Sequence, residues 1–394
     1  MPLPQLVDPE IIPASPRRPL PPPSPLDGVL TAAPLPSPPP AFLVRAALGL
    51  RRALLALADR IAPPHVAIFE RSTGMMQTML LAAVARHGVA DLLSAGPLDA
   101  ATIAARTGGD ADTMHRVLRA LATIGIFELG ADGRFANNRL SRALVGGRLE
   151  RTREWVLYCG SQSNVAAWAE VERTLTHGHD SFEQLFGMTL WDWFERHVDE
   201  REMFAQAMMG LTIADAPLVA RLYPFAEVAS ICDVGGGRGT LLSELLIHHR
   251  HLAATLCDSA GVLESARALL DQRGVLDRVS LAPGSFFEAV PAGSDAYLLK
   301  NILHDWDDAR CHAILGNVRR AMSPGQRLLL VEQLVARNDT SGLGPLADVQ
   351  MMVVCAGGRE RSVAELQVLM TANGFAPARV FRHPLIGLVE GRAI

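Results

Sequence analysis

The spacing of apolar and polar positions divides the chain into regions of different texture. From about Phe42 to Ala62, Leu43, Ala47, Leu50, Leu54, Leu57 and Ile61 share one face while Arg45, Arg51, Arg52 and Arg60 stay polar, so one amphipathic helix is expected, stopped by Pro63-Pro64. Its stripe suits packing or a dimer partner, and its basic residues also suit contact with a membrane surface. Short helices follow from His65 to about Leu144. Met75 to Leu93 is strongly apolar, Leu98 to Gly108 reads as a helix closed by glycine, and the segment from Asp112 to Ile124 carries Met114, Val117, Leu118 and Leu121 on one face. It leads through Phe127 to Asp132-Gly133 and Phe135, a small hairpin turned by the Asp-Gly pair, and this order of elements is that of a winged helix.

Residues 150–227 read as helical and are rich in large side chains, among them Trp155, Trp168, Trp191, Trp193, Phe204 and Met208. Two readings stand side by side: interdomain core, or the lining of an apolar or aromatic cavity. After Ala226 strand and helix patterns alternate, which predicts a parallel sheet with helices on both faces. Strand candidates are Val228–Val234, Ala254–Cys257, Asp295–Lys300 and Arg327–Val331, with helices from Leu241 to His249 and from about Asp308 to Ala321.

Composition narrows the classes. Residues 1–41 hold 15 of the 26 prolines, and proline cannot donate to a helix or sheet ladder, so this stretch is expected to be a disordered or polyproline-like tail. Lys and Arg total 37 against 41 acidic residues, and the candidate reading helix of the winged helix carries only Arg116 and Arg119 beside His115, which disfavours nucleic acid as a partner. Cys159, Cys232, Cys257, Cys311 and Cys355 are odd in number and form no CxxC pair, as small buried hydrophobes in a reducing cytosol would be. With no signal-peptide pattern and no uninterrupted apolar run of about 18 residues, a cytoplasmic protein without stable membrane insertion is expected.

The chemistry gathers in the last region. Asp233-x-Gly235-x-Gly237-x-Gly239 joins a strand to a helix, and such a bare turn lets a ligand approach the backbone. The spacing differs from the G-x-G-x-x-G of a dinucleotide site, which disfavours a nicotinamide dehydrogenase. Asp258, 19 residues after Gly239 at the tip of the next strand, suits vicinal ribose hydroxyls. His304, Asp305 and Glu332 fall just beyond strand ends, on the rim where an open parallel sheet holds its ligand.

Four motifs in order, Asp-Val-Gly-Gly-Gly-x-Gly-Thr at 233–240, Ile-Leu-His-Asp-Trp-Asp-Asp at 302–308, Pro-Gly-x-Arg-Leu-Leu-Leu-Val-Glu at 324–332 and Gly-Gly-x-Glu-Arg-Ser at 357–362, resemble those of the small-molecule O-methyltransferases. The likeness spans about residues 70–390. It implies an α/β fold: a Rossmann-like class I methyltransferase domain over residues 228–394, a helical winged-helix-like dimerisation domain over 42–150, a helical connector lining the substrate cavity over 151–227, and a homodimer. The sheet would have seven mostly parallel strands, the last two, 378–382 and 385–390, forming a hairpin.

The resemblance further implies S-adenosylmethionine held by Asp233, Gly235, Gly237, Gly239, Asp258, Ser285, Phe286 and Lys300. Ser285 stands where the family usually has an aspartate that contacts adenine, and Cys355-Ala356 stand where plant members often have Asn-Pro. His304 looks like the general base, with an ordinary pKa near 6.5 and with Glu332 and Glu360 flanking it, Glu332 fixing its tautomer. Trp168, Phe204, Met208, Asp305 and Met351 would hold a small-molecule acceptor, and no metal is required. N- or C-methylation and a non-catalytic cofactor-binding role are the alternatives that the residues leave open.

Overall fold

The computed structural model describes residues 30–340 and 342–394. Its first part is helical: α1 (Ala41–Ile61), α2 (Pro64–Ser72), α3 (Gly74–Arg86), α4 (Val89–Leu92), α5 (Ala100–Thr107) and α6 (Ala111–Thr123), followed by the hairpin of β1 (Phe127–Leu129) and β2 (Phe135–Asn137). Local chemistry sets these boundaries. Asp99 and Asp110 cap α5 and α6 by accepting from the backbone N–H of Thr102 and Thr113, each at 2.8 Å, and Gly108 closes α5 in the left-handed region at φ 65°. Leu118 and Leu121 of α6 then bury completely with Ile103, Val89, Phe127 and Phe135. Among the described α-helices only α1 departs from the packing reading within a single chain, since none of its residues is buried.

The connector comprises α7 (Thr152–Cys159), α8 (Gln162–Ala169), α9 (Val171–His177), α10 (Ser181–Phe186), α11 (Leu190–Arg196) and the long α12 (Val198–Leu222). Among the described residues α12 alone is long and apolar enough to cross a membrane, but 61% of its apolar window is buried inside the protein, as for a core helix. It packs on α7 and on the sheet domain, and so joins the two halves.

The sheet domain runs β3 (Ser230–Val234), α13 (Thr240–His248), β4 (Ala253–Asp258), α14 (Ala260–Gln272), β5 (Val279–Pro283), β6 (Ala296–Lys300), α15 (Asp308–Ala321), β7 (Arg327–Glu332), α16 (Gly344–Val354), α17 (Val363–Ala372), β8 (Phe375–Arg382) and β9 (Gly387–Ala393). Strand order is β5-β4-β3-β6-β7-β9-β8. The first five strands are parallel, and β9 enters antiparallel between β7 and β8. Leu328 to Val331 of β7 are fully buried, the continuous apolar run that a central strand covered on both faces needs. Strand order reverses between β3 and β6, which opens a crevice beyond their carboxyl ends.

Elements that the hydrophobic pattern does not announce include β5 and α16. β5 is a half-exposed edge strand, and α16 carries Met351 on a helix that opens on a Gly-Pro pair. The expected proline-rich tail needs correction where it can be seen. Residues 1–29 lie outside the described residues, but residues 30–40 are fastened to the sheet domain. Leu30 and Leu35 are buried, the N–H of Leu35 donates to Glu244 at 3.0 Å, and Arg273, paired with Glu244, donates to the carbonyls of Thr31 and Ala33. Buried groups on α13 and just past the end of α14 thus bind the backbone of this stretch and override its proline content.

Candidate active site

The crevice begins at the turn after β3. Gly235, Gly237 and Gly239 take φ of 69°, 58° and 73°, a region that costs other residues strain. A Cβ at Gly235 would lie 2.6 Å from Ile302 Cδ1, and one at Gly236 would lie 2.4 Å from the Asp233 carboxylate. The cradle is therefore bare backbone. Asp258 accepts from the N–H of Gly237 at 2.9 Å, so one carboxylate oxygen props the turn. Phe286 lies against Gly235, while Ser285 Oγ accepts from the N–H of Phe287 at 3.2 Å. Burial pushes Asp233 up to about 7 and also raises Asp258, and Asp233 Oδ2 is buried without a protein partner.

At the tip of β6, Lys300 Nζ lies 3.3 Å from Asp215 and 3.5 Å from Thr212 Oγ1, both on α12. Sequence reasoning missed these two residues, because nothing in the apolar pattern of α12 marks Asp215 as the partner of a residue 85 positions away. Asn301 follows with φ 52°, a strained value for a non-glycine residue that turns the chain sharply toward His304.

His304 sits on a single 3₁₀ turn, Leu303–Asp305, inside a ring of carboxylates. Its Nδ1 is 3.0 Å from Glu360 Oε1 and 3.8 Å from Glu332 Oε2, and its Nε2 is 3.4 Å from Asp305 Oδ1. Glu360, rather than Glu332, makes the imidazole hydrogen bond. Glu332 instead uses Oε1 to accept from the backbone N–H groups of Ile302 and Leu303, at 3.3 and 3.0 Å. Burial alone would lower the imidazole pKa, but Asp305, the Glu360 hydrogen bond and Glu332 outweigh it and push the imidazole up to about 10, far from the ordinary value. Burial also lifts Asp305 to about 6 and Glu332 to about 7. His304, Glu332 and Glu360 offer ligand atoms within 4.8 Å of one another, a spacing open to a divalent cation, although Glu360 already engages Nδ1.

The acceptor candidates gather on one wall. Trp168, Phe204 and Met351 pack on one cluster with Phe182, Phe194 and Val353, and Met208 packs beside Phe204 in a neighbouring one. A polar ladder within this wall was not legible in the sequence. Trp168 Nε1 donates to Gln350 Oε1 at 2.7 Å, and Gln350 Nε2 donates to Asn164 Oδ1 at 2.9 Å. Cys355 Sγ donates to Asp305 Oδ1 at 3.8 Å.

A buried carboxylate with one unpartnered oxygen beside an open glycine turn, and a second acid on the next strand tip, suit a cofactor that pairs an adenosine with an amino-acid tail bearing an ammonium group. Residues 168–376 match the O-methyltransferase domain family, and residues 69–147 match the O-methyltransferase dimerisation domain family. The mitomycin biosynthesis 6-O-methyltransferase of Streptomyces lavendulae is 36% identical over 293 residues, covering 74% of this chain and 83% of the relative. The phenazine-1-carboxylate N-methyltransferase of Pseudomonas aeruginosa is 32% identical over 79% of this chain and 92% of its own length. A solved structure of the O-methyltransferase NcsB1 from neocarzinostatin biosynthesis, in complex with S-adenosylmethionine and 2-hydroxy-5-methyl naphthoic acid, superposes with a TM-score of 0.72 at 29% identity, over 80% of this chain and 96% of that one. The chain belongs to the S-adenosylmethionine-dependent O-methyltransferase family and carries that family's dimerisation domain ahead of its catalytic domain.

Proposed function

We propose that the protein methylates a hydroxyl of a small aromatic secondary metabolite, with His304 as general base. The observation that carries this reading is the division of labour on the imidazole: Glu360 takes Nδ1, and Nε2, 3.4 Å from the Asp305 carboxylate, is the nitrogen for an acceptor proton. Asp233, the Gly235–Gly239 turn, Asp258, Ser285, Phe286 and Lys300 hold the cofactor, and Trp168, Phe204, Met208, Asp305 and Met351 hold the acceptor.

S-adenosylmethionine, when bound, supplies a methyl group already activated by its sulfonium. The protein's task is to orient a nucleophile, exclude water and accept one proton. A phenol has a pKa near that of tyrosine, ~10, so the neutral form of an imidazole pushed up to about 10 takes its proton with little free-energy change, but that form becomes abundant only as the pH rises toward about 10. General-base help of this kind contributes roughly 100- to 10,000-fold. The Glu360 carboxylate stabilises the imidazolium as it forms, and Glu332 fixes the backbone that presents it. No metal ion takes part in this scheme. The division into residues 42–150, 151–227 and 228–394, and the homodimer built on the first of these, belong to the same proposal.

The test is His304→Ala, assayed by S-adenosylhomocysteine release with a panel of hydroxylated naphthoates, phenazines and quinones. Turnover should fall at least about 100-fold while S-adenosylhomocysteine still binds. N-methylation is the second reading, favoured by the phenazine-1-carboxylate N-methyltransferase among the relatives. A ring nitrogen that bears no proton needs no base, so unchanged turnover in His304→Ala would support it over the hydroxyl reading.

A further inference from the structure

We propose that Arg361 is a positioning residue for the reaction: its guanidinium clamps the backbone of the turn that carries His304 and so aims the imidazole at the acceptor. Arg361 is 2% exposed, among the largest side chains the fold buries completely. Taking a guanidinium out of water is costly unless every donor finds a partner, and here the partners are specific. Nη1 donates to the carbonyl of Leu303 at 2.5 Å, and Nη2 donates to the carbonyl of Trp306 at 2.8 Å. Nε and Nη2 also reach Asp308 Oδ1, the acid that opens α15.

These contacts complete a jig around one residue. On the amino side of His304, Glu332 accepts from the N–H groups of Ile302 and Leu303. On the carboxyl side, the His304 carbonyl itself accepts from the N–H of Arg359 at 2.8 Å. Arg361 holds the carbonyls on either flank. The clamp and the imidazole hydrogen bond come from adjacent residues: Glu360 reaches Nδ1 while Arg361 reaches the backbone. Their segment is fixed in turn beyond the end of β7, where Leu334 bridges Arg361 and the N–H of Val335 donates to the Arg361 carbonyl.

A 3₁₀ turn of three residues has little rigidity of its own, and this one begins after a left-handed Asn301. Without the guanidinium, the carbonyls of Leu303 and Trp306 lose their charged donor and the turn can relax. A misplacement of about 1 Å at a reacting group costs on the order of 100-fold. Lysine offers a single point charge in place of a planar fork and cannot span both carbonyls in the same way.

The proposal rests on His304 acting as base, and the experiment separates the two. Arg361→Met, Arg361→Lys, His304→Ala and the double variant His304→Ala/Arg361→Met are compared for kcat, KM and S-adenosylhomocysteine affinity. Arg361→Met should lower kcat on the order of 100-fold, with KM for S-adenosylmethionine changed less than about 3-fold. Arg361→Lys should fall between it and the parent, and millimolar guanidinium should restore part of the Arg361→Met rate. In the His304→Ala background the same change should have almost no further effect on kcat, because the residue it acts through is gone. Equal multiplicative losses in both backgrounds, or a parent-like kcat in Arg361→Met, overturn the inference. If Arg361→Met fails to bind S-adenosylhomocysteine, the decision passes to Arg361→Lys, whose kcat must then be depressed with binding intact. A parent-like rate in His304→Ala instead refutes the general base and leaves the clamp without its object.

Discussion

Replacing Glu360 with glutamine tests the electrostatics of the imidazole most directly. Glutamine keeps the length and one oxygen of the side chain, so Nδ1–H can still donate across the 3.0 Å gap, but one negative charge is removed. A hydrogen bond to a charged partner contributes ~1.5–3 kcal/mol and a neutral one ~0.5–1.5 kcal/mol, so the imidazolium form loses about 1–2 kcal/mol. At about 1.4 kcal/mol per tenfold, the imidazole should drop from about 10 to roughly 8.5–9.3. The sign follows from which form works in the proposed scheme: there the neutral imidazole accepts the proton, and it is populated only as pH rises through its pKa. In the parent, kcat/KM should therefore climb with pH until about 10, and in Glu360→Gln it should level off at roughly 8.5–9.3. The plateau should fall by at most about 5- to 30-fold, the same 1–2 kcal/mol expressed in the transition state. The assay is S-adenosylhomocysteine release between pH 6 and 11, with the acceptor's own ionisation measured separately. A parent profile that levels off near the ordinary histidine value of ~6.5, or a variant limb that does not move, would refute the reasoning.

Other perturbations address the cradle, the core and the metal question. Gly235→Ala places a methyl group 2.6 Å from Ile302 at φ 69° and should abolish S-adenosylhomocysteine binding measured by calorimetry. Asp233 holds its carboxyl at about 7, above an unfolded value of ~3.9, so the folded state binds the proton more tightly and the parent loses stability as pH rises from about 4 to about 7. Asp233→Asn should remove that loss, exceeding the parent's unfolding free energy at pH 8 by on the order of a few kcal/mol in denaturant titrations while binding the cofactor more weakly. Leu118→Ala, in a fully buried position of α6, should cost ~2–5 kcal/mol in denaturant unfolding. Prolonged dialysis against EDTA should leave turnover unchanged; recovery only on adding a divalent cation would assign the His304, Glu332 and Glu360 cluster to a metal.

Much of the placement of the candidate site residues was legible in the chain because strand tips and glycine turns leave local marks. The run Asp233 to Gly239, Asp258 at a strand end and His304 beyond another each fall within a few residues of the element that positions them. The division of roles between the two glutamates was not legible. Glu332 and Glu360 are both acids near the rim in sequence, yet only the placement of the segment after α16 decides that Glu360 meets Nδ1 while Glu332 turns to the backbone of Ile302 and Leu303. The partners of Lys300 on α12 and the ladder from Trp168 through Gln350 to Asn164 span large sequence separations, which no periodicity reports.

The sequence by itself determined most of the elements and their order: the helices of the first 150 residues from apolar spacing and caps, most of the alternating strands from their buried runs, and the bare turn after β3 from its glycines, while β5 and α16 left no such mark. Those signals are local, because a backbone conformation or a buried face is specified by residues a few positions apart. Tertiary structure alone decided that residues 30–40 dock on the Arg273–Glu244 pair instead of remaining a free tail, and that three carboxylates converge on one imidazole and carry it to about 10. Burial and charge act through space, and the groups that set the chemistry here meet only when distant segments pack together.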